Sequence, residues 1–316
     1  MLLFHGCSSL PTQQNENIDE NVYLDHQQVK ELATHLEILS ANVMAGRVFS
    51  SPGSITAQNY IVSSLIKSGV APFQNKFRHP FERNSLFSKK IGSNIIGFIK
   101  GTHIPEQYIV LTAHYDHLGT KGGQIYNGAD DNASGVAALL TFGEIIAQSP
   151  LKYSVIFLFT DGEEINLLGA KAFINQQKQL LSQIKLNINI DMIAGSKGTS
   201  TLHYIDKRLE SILTEKKLND MKTLVQGSSV KLKRGFNIGG YAQKNRIRWS
   251  NASDHGVFNR KQIPFIYFGG GVHPNYHTAK DNLKNVNFSF YIKSCQLIFR
   301  YLLFFDENIM PIEIKS

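Results

Sequence analysis

Residues 108–116 read YIVLTAHYD, a short apolar run that ends in an imidazole and a carboxylate. The same pattern returns at 153–164 (YSVIFLFTDGEE), at 186–191 (LNINID) and at 264–277 (PFIYFGGGVHPNYH). Continuous apolar runs of five to seven residues are too short for buried helices and fit strands covered on both faces. Between them lie helical stretches: 134–148 after a polar, Gly-rich loop through Asn127, and 164–177 after the second strand. Strand, loop and helix repeating in this way predict an α/β fold, a single domain with a central, mostly parallel mixed sheet flanked by helices.

Outward from this centre the pattern continues. Val29, Leu32, Leu36 and Leu39 recur at helical spacing from His26, and residues 56–68 form a second amphipathic helix closed by Gly69, after a Ser51-Pro52-Gly53-Ser54 turn. Residues 94–99 read as a short strand. Residues 207–218 are expected to be helical, 227–249 rich in loops, and 288–305 (FSFYIKSCQLIFRYLLFF) a buried element in which Cys295 is a small core residue. The domain is expected over 25–316, behind a flexible leader, 1–24.

Composition narrows the function classes. The 316 residues carry 33 Lys+Arg and 25 Asp+Glu, a formal net charge of +8, with 42% hydrophobic and 18% charged residues. That excludes an intrinsically disordered chain. No apolar run reaches the roughly 18 residues of a membrane-spanning helix. The basic residues are scattered (Lys89-Lys90, Lys216-Lys217, 231–234, then Lys244, Arg246 and Arg248) and form no stripe interleaved with aromatics, so no nucleic-acid partner is expected. Two cysteines cannot make a disulfide framework. Cys7 stands in MLLFHGCSSL, which resembles the tail of a bacterial lipoprotein signal. The polar stretch 11–20 would serve as a tether, although Leu2 to Phe4 is far shorter than a working signal core. The expectation is a protein of the bacterial cell envelope, periplasmic or lipid-anchored through Cys7, or a secreted one.

In a parallel α/β sheet, ligands bind beyond the carboxyl ends of the strands. There the sequence places His114 and Asp116, then Asp130 and Asp131 before a helix, Asp161, Glu163 and Glu164, then Asp191, and finally His273 and His277. Each alone has an ordinary reading: a satisfied histidine, a helix cap, an acid at a helix N-terminus. Together, carboxylates crowded at one sheet edge would repel unless protonated or neutralised by cations. A donor set of imidazoles and carboxylates without thiolate suits zinc, with manganese or cobalt as competitors. Asp131 could bridge two ions about 3.5–4 Å apart, and His114 and His277 could supply one nitrogen each. Of the adjacent Glu163 and Glu164, one could bind metal while the other faces substrate as a general base. Asp116 could hold the far ring nitrogen of His114.

Six blocks, AHYDHLG (113–119), NGADDNASGVAALL (127–140), TDGEEINLLGA (160–170), NIDM (189–192), SDHGVF (253–258) and PNYHTAKDNL (274–283), strongly resemble the zinc aminopeptidases of peptidase family M28, in order and from about Met44 to Asn287. The resemblance implies a phosphorylase-like α/β domain with two Zn2+ ions. One would lie on His114, Asp131 and Asp191, the other on Asp131, Glu164 and His277. Glu163 matches the general base and Asp116 the ligand-orienting acid. Tyr276 matches a position that helps stabilise the tetrahedral intermediate, and Asp254 and His255 a segment of varied role. A non-proline cis bond after the bridging Asp is also implied. The activity implied is hydrolysis of the N-terminal peptide bond of peptides with a free N-terminus, with Mn2+ or Co2+ as possible substitutes. A compact form is expected, since no protease-associated domain fits between Lys100 and Asn282. A carboxypeptidase-type or dipeptidase relative shares the ligands and stays open. A glutaminyl cyclase would lack the His114 equivalent, and a non-catalytic module would have lost ligands or the base.

Overall fold

The computed structural model describes residues 24–84, 88–236 and 247–311. Cys7 and the expected leader up to residue 23 lie outside them, whereas Leu24 is already in the core (7% exposed). Helix α1 (His26–Leu39) begins at a capping box: the Asp25 carboxylate accepts from the Gln28 N–H and the Gln28 side chain accepts from the Asp25 N–H. Helix α2 (Pro52–Lys67) starts with Pro in its first turn behind Ser51, whose hydroxyl accepts from the Ser54 N–H. Strands β1 (Ala71–Pro72), β2 (Arg78–Asn84) and β3 (Lys89–Ile99) precede β4 (Ile104–His114), the small hairpin of β5 (Gly119–Lys121) and β6 (Gln124–Tyr126), and helix α3 (Ser134–Gln148). Then come β7 (Tyr153–Thr160), α4 (Leu168–Gln176), β8 (Ile184–Ile190), β9 (Thr201–Lys207), α5 (Glu215–Thr223), β10 (Lys231–Arg234), α6 (His255–Arg260), β11 (Phe265–Gly269) and α7 (Phe288–Asn308).

The four apolar runs of the sequence are the four central strands. Their order is β7-β4-β8-β11, all parallel, and antiparallel neighbours flank them on both sides: β3 on β7, and β9 on β11. The result is a mixed sheet with a parallel centre, in agreement with the expected class. Every residue of β7 and β8 is buried, as strands covered on both faces require. Alternation along β4 divides the core. Ile109, Leu111 and Ala113 pack with α1, α2, α3 and α7 on one face, while Val110 joins Ala170, Phe173 and Phe258 of α4 and α6 on the other.

This topology fixes where a site can form. From β4 the chain passes through α3 to β7 on one side, and then through α4 to β8 on the other. The carboxyl end of β4 is therefore a switch point, where connections leave in opposite directions and open a crevice. His114 is its last residue.

Two regions differ from the sequence reading. The helix expected at 164–177 begins at Leu168, because Asn166 (φ 83) and Leu167 (φ 57) adopt left-handed backbone and turn Glu163 and Glu164 out of the helix. The helix expected at 207–218 is instead the end of strand β9, a short 3-10 turn at Leu209–Ser211 and α5, the break falling at Arg208 (φ 62). Strand β9 escaped notice because it is half-polar (TLHYIDK) and carries no continuous apolar run. Of the expected loop-rich stretch, 237–246 lies outside the described residues, and 231–234 is strand β10.

Candidate metal centre

Three segments meet at the end of β4. His114 closes that strand, Asp191 follows β8 directly, and Asp131 stands in the irregular turn before α3, where the Asp131–Asn132 peptide bond is cis. The His114 Nε2 atom lies 3.3 Å from Asp131 Oδ1 and 3.3 Å from Asp191 Oδ1. Its other ring nitrogen, Nδ1, is 3.1 Å from the main-chain carbonyl of Asp116. With Nδ1–H donating there, Nε2 turns its lone pair toward two carboxylate oxygens, and such a group of acceptors needs a proton or a cation between them.

The second oxygen of Asp131 faces other partners. Oδ2 is 3.2 Å from His277 Nε2, which is itself 3.3 Å from Glu164 Oε2. Asp131 thus divides its two oxygens between two donor sets, one with His114 and Asp191, the other with Glu164 and His277. His277 takes left-handed backbone (φ 55). Tyr276 stacks on its ring, centroids 3.8 Å apart. The expected metal ligands therefore all converge.

Asp116 lies next to them and meets the far ring nitrogen of His114, more closely through its main-chain carbonyl than through its carboxylate. Its carboxylate is 3.8 Å from His114 Nδ1 and accepts from the Glu163 N–H (3.0 Å) and the Glu164 N–H (3.3 Å). It therefore shapes the turn that presents both glutamates, while its carbonyl holds His114. Asp254 is buried behind this edge and accepts a hydrogen bond from the Thr160 hydroxyl. His255 donates to the Trp249 carbonyl and stacks on Tyr267.

Electrostatics asks for positive charge here. Burial pushes the Glu163 carboxyl well above its ordinary range, with Asp191 and Glu164 adding to the effect and His114 opposing it. Burial would lower His277, yet Asp131 and Glu164 hold it at about 10. Asp131 Oδ2 and Glu164 Oε1 are buried without a hydrogen-bond partner among the described residues. Unpartnered carboxylate oxygens facing imidazole nitrogens are the donor chemistry of zinc and similar divalent ions, and the two sets fit such ions.

A polar scaffold holds the ligands. Asp281 accepts from the Asp130 N–H (2.8 Å) and the Asp131 N–H (3.0 Å). Asp130 accepts from the Ala194 and Gly195 N–H groups, at 2.7 Å each, and pairs with His273 at 2.8 Å. Asn132 ties the turn to the end of β8, accepting from Met192 N–H and donating to the Ile190 carbonyl. The sequence reading quoted Asp281 and Asp130 within motifs without giving them this work. His117 was likewise quoted within AHYDHLG without a role, and Arg47 was not named.

A family model for peptidase family M28 matches residues 94–302. The chain belongs to that family. Leucine aminopeptidase 1 of Ajellomyces capsulatus is 26% identical over 236 residues, 70% of this chain and 56% of that protein. A leucine aminopeptidase precursor from Bacteroides thetaiotaomicron superposes with a TM-score of 0.67 at 18% identity, covering 90% of this chain and 98% of that one. A glutaminyl cyclase from Macrostomum lignano superposes equally well, at 0.68 and 18% identity over 92% and 95% of the two chains. The shared architecture thus spans more than one chemistry. This M28 chain spans only 26–50% of the length of several other curated relatives.

Proposed function

We propose that this M28 chain is a metal-dependent aminopeptidase that holds two divalent ions, zinc first among them. The observation that carries the reading is the division of Asp131, with one oxygen 3.3 Å from His114 and the other 3.2 Å from His277. His114, Asp131 and Asp191 would hold one ion, and Asp131, Glu164 and His277 the other. The ions would supply Lewis acidity and lower the pKa of water at the site toward neutrality.

The remaining chemistry belongs to the chain. Glu163 is set by the Asp116 carboxylate, which fixes its N–H. Its raised pKa suits a base that takes a proton from the attacking water and returns one to the departing amine. Water and the amide thereby become a carboxylate and a free amine. Tyr276, whose ring stacks on that of His277, would donate its hydroxyl to the oxyanion of the tetrahedral intermediate. Carboxylates at the site edge would read the substrate ammonium. The intact His114, together with a relative named as a leucine aminopeptidase, supports peptide hydrolysis over cyclisation.

The test is a panel of free and N-acetylated peptides given to the zinc-loaded protein, with Glu163→Gln alongside. Cleavage that requires a free N-terminus, reduced by roughly two to four orders of magnitude in the variant, is the expected result. Release of C-terminal residues, or turnover that survives N-acetylation, would replace the aminopeptidase reading with that of a carboxypeptidase-type relative.

A further inference from the structure

His117 sits three residues beyond His114, on the turn leaving β4, and is 1% exposed. Among the described residues neither of its ring nitrogens has a hydrogen-bond partner. A buried imidazole whose Nε2 has no partner and whose Nδ1 faces only carboxylate oxygens, without an aligned hydrogen bond to them, recovers its lost solvation incompletely from the protein, and a cation between Nδ1 and those oxygens would restore it. The ring is not aimed at apolar packing. Its Nδ1 atom lies 2.9 Å from Glu164 Oε1 and 3.7 Å from Asp131 Oδ2, the two carboxylate oxygens that are themselves unpartnered.

These distances match the edges of a coordination shell. Donors about 2.1 Å from a tetrahedral ion stand roughly 3.4 Å apart. His117 Nδ1 lies 3.7 Å from Asp131 Oδ2 and 2.9 Å from Glu164 Oε1, and these three residues offer ligand atoms all within 4.8 Å of one another; His277 Nε2 lies 3.2 Å from the same Asp131 oxygen and 3.3 Å from the other Glu164 oxygen, Oε2. The His117 ring is also held in place. Gly128 has φ 58, and a Cβ built there would lie 2.6 Å from the His117 ring atoms, so the imidazole rests against bare backbone in a cradle that a side chain would fill.

We propose that His117 is a ligand of the second metal site, which then has four protein donors (His117, Asp131, Glu164 and His277) against three at the first (His114, Asp131 and Asp191). This inference rests on the two-ion reading above and gives the two sites different work. Four protein donors close the shell of a tetrahedral ion, the arrangement of sites that retain their metal, whereas three leave a position open for water or substrate. The ion on His114 and Asp191 is then the exchangeable one with an open position. The ion on His117 is held more tightly and fixes the Asp131 bridge.

The experiment is titration of the apoprotein with Zn2+ against a chromophoric chelator, and separately with Co2+ followed by its visible absorption, for wild type, His117→Ala and His117→Gln. Far-UV circular dichroism of each apoprotein checks the fold, and Gln serves where Ala does not fold. Wild type should bind two equivalents with separable affinities. Either variant should weaken the tighter site by more than about 100-fold, beyond the 10–100-fold typical of residues that only orient ligands, and alter the Co2+ band of that site alone. His114→Ala should weaken the other site. Two equivalents with both affinities and both Co2+ bands unchanged in the His117 variants would overturn the assignment of His117. Fewer than two equivalents in the wild type would overturn the two-ion reading itself, and whether the His117 variants weaken the remaining ion would still decide the role of His117.

Discussion

Arg47 is fully buried and spends its guanidinium on main-chain carbonyls, donating to Leu39 (2.6 Å), Tyr115 (2.7 Å), Asn127 (2.6 Å) and Gly128 (3.0 Å). Burial lowers its pKa to about 10, with Asp281, Asp131 and Asp116 opposing, so it stays charged at neutral pH and offsets part of the acidic cluster in front of it. Asp281 does comparable work with opposite charge, since its two oxygens take the N–H groups of Asp130 and Asp131. Asp281→Asn leaves one of those buried N–H groups facing an amide NH2. The expected loss is about 1–3 kcal/mol of apoprotein stability and roughly 10–100-fold in zinc affinity, read by denaturant unfolding and chelator competition. Undiminished zinc affinity would show that the turn holds Asp131 without Asp281. The candidate metal ligands were legible in sequence because they lie at or in the loops beyond the carboxyl ends of apolar strands, where the fold class says a site must be. Arg47, Asp281 and His117 were not, because their roles depend on which carbonyl, N–H or carboxylate the folded chain brings against them, and no spacing encodes that.

At the scale of elements, α3 shows how a helix can be committed to the site at its first turn. Asn132 Oδ1 accepts from the Gly135 N–H at 2.9 Å, and a Cβ on Gly135 would lie 2.5 Å from that oxygen and 2.5 Å from the Ile190 carbonyl at the end of β8. Helix propensity alone favours Ala over Gly by up to about 1 kcal/mol. In Gly135→Ala the close approach should reverse that sign, costing more than about 1 kcal/mol and weakening metal binding by displacing Asn132 from β8. Gly143 on the same helix has its nearest neighbour, Val70, at 3.4 Å, so Gly143→Ala should be neutral or stabilising. Equal effects in paired thermal and denaturant unfolding would refute the role given to the first turn. The elements legible in advance were those with one dominant signal: β4, β7, β8 and β11 as doubly covered strands, and α3 by its period. The start of α4 was not, because Glu163-Glu164 looks like an acidic first turn until Asn166 and Leu167 take left-handed backbone. The helix expected over 207–218 failed for a related reason, its residues having good helical propensity while 201–207 had already been drawn into the sheet between β11 and β10.

Across the whole molecule, acid stability reflects groups on both sides of the sheet that pull in opposite directions. His35 joins α1 to α2 through a 2.7 Å hydrogen bond between its Nδ1 and the Tyr60 hydroxyl, and burial lowers its pKa to about 4. His255 is lowered further, to about 3, by complete burial. Between pH 6.5 and 4 the unfolded chain protonates His35 and the folded chain does not. The unfolded state then binds more protons, and stability falls as pH falls through that window. Asp161 and Asp254 work the other way, since burial raises both to about 6. The folded state then holds the extra protons between about 6 and 3.8, so these groups add stability as pH falls. The net slope of the wild type alone is therefore a poor reading of any one group, and a difference between two proteins isolates His35. His35→Gln keeps a hydrogen-bonding partner for Tyr60 and removes the titration. The wild-type advantage over this variant should shrink by ~3 kcal/mol between pH 7 and pH 4, measured by urea unfolding at each pH with metal removed, so that the charge of the site cannot change with loading. Parallel stability curves for the two proteins would mean that His35 is solvated enough in the folded state to protonate freely, and that the α1–α2 junction is looser than its hydrogen bond to Tyr60 indicates.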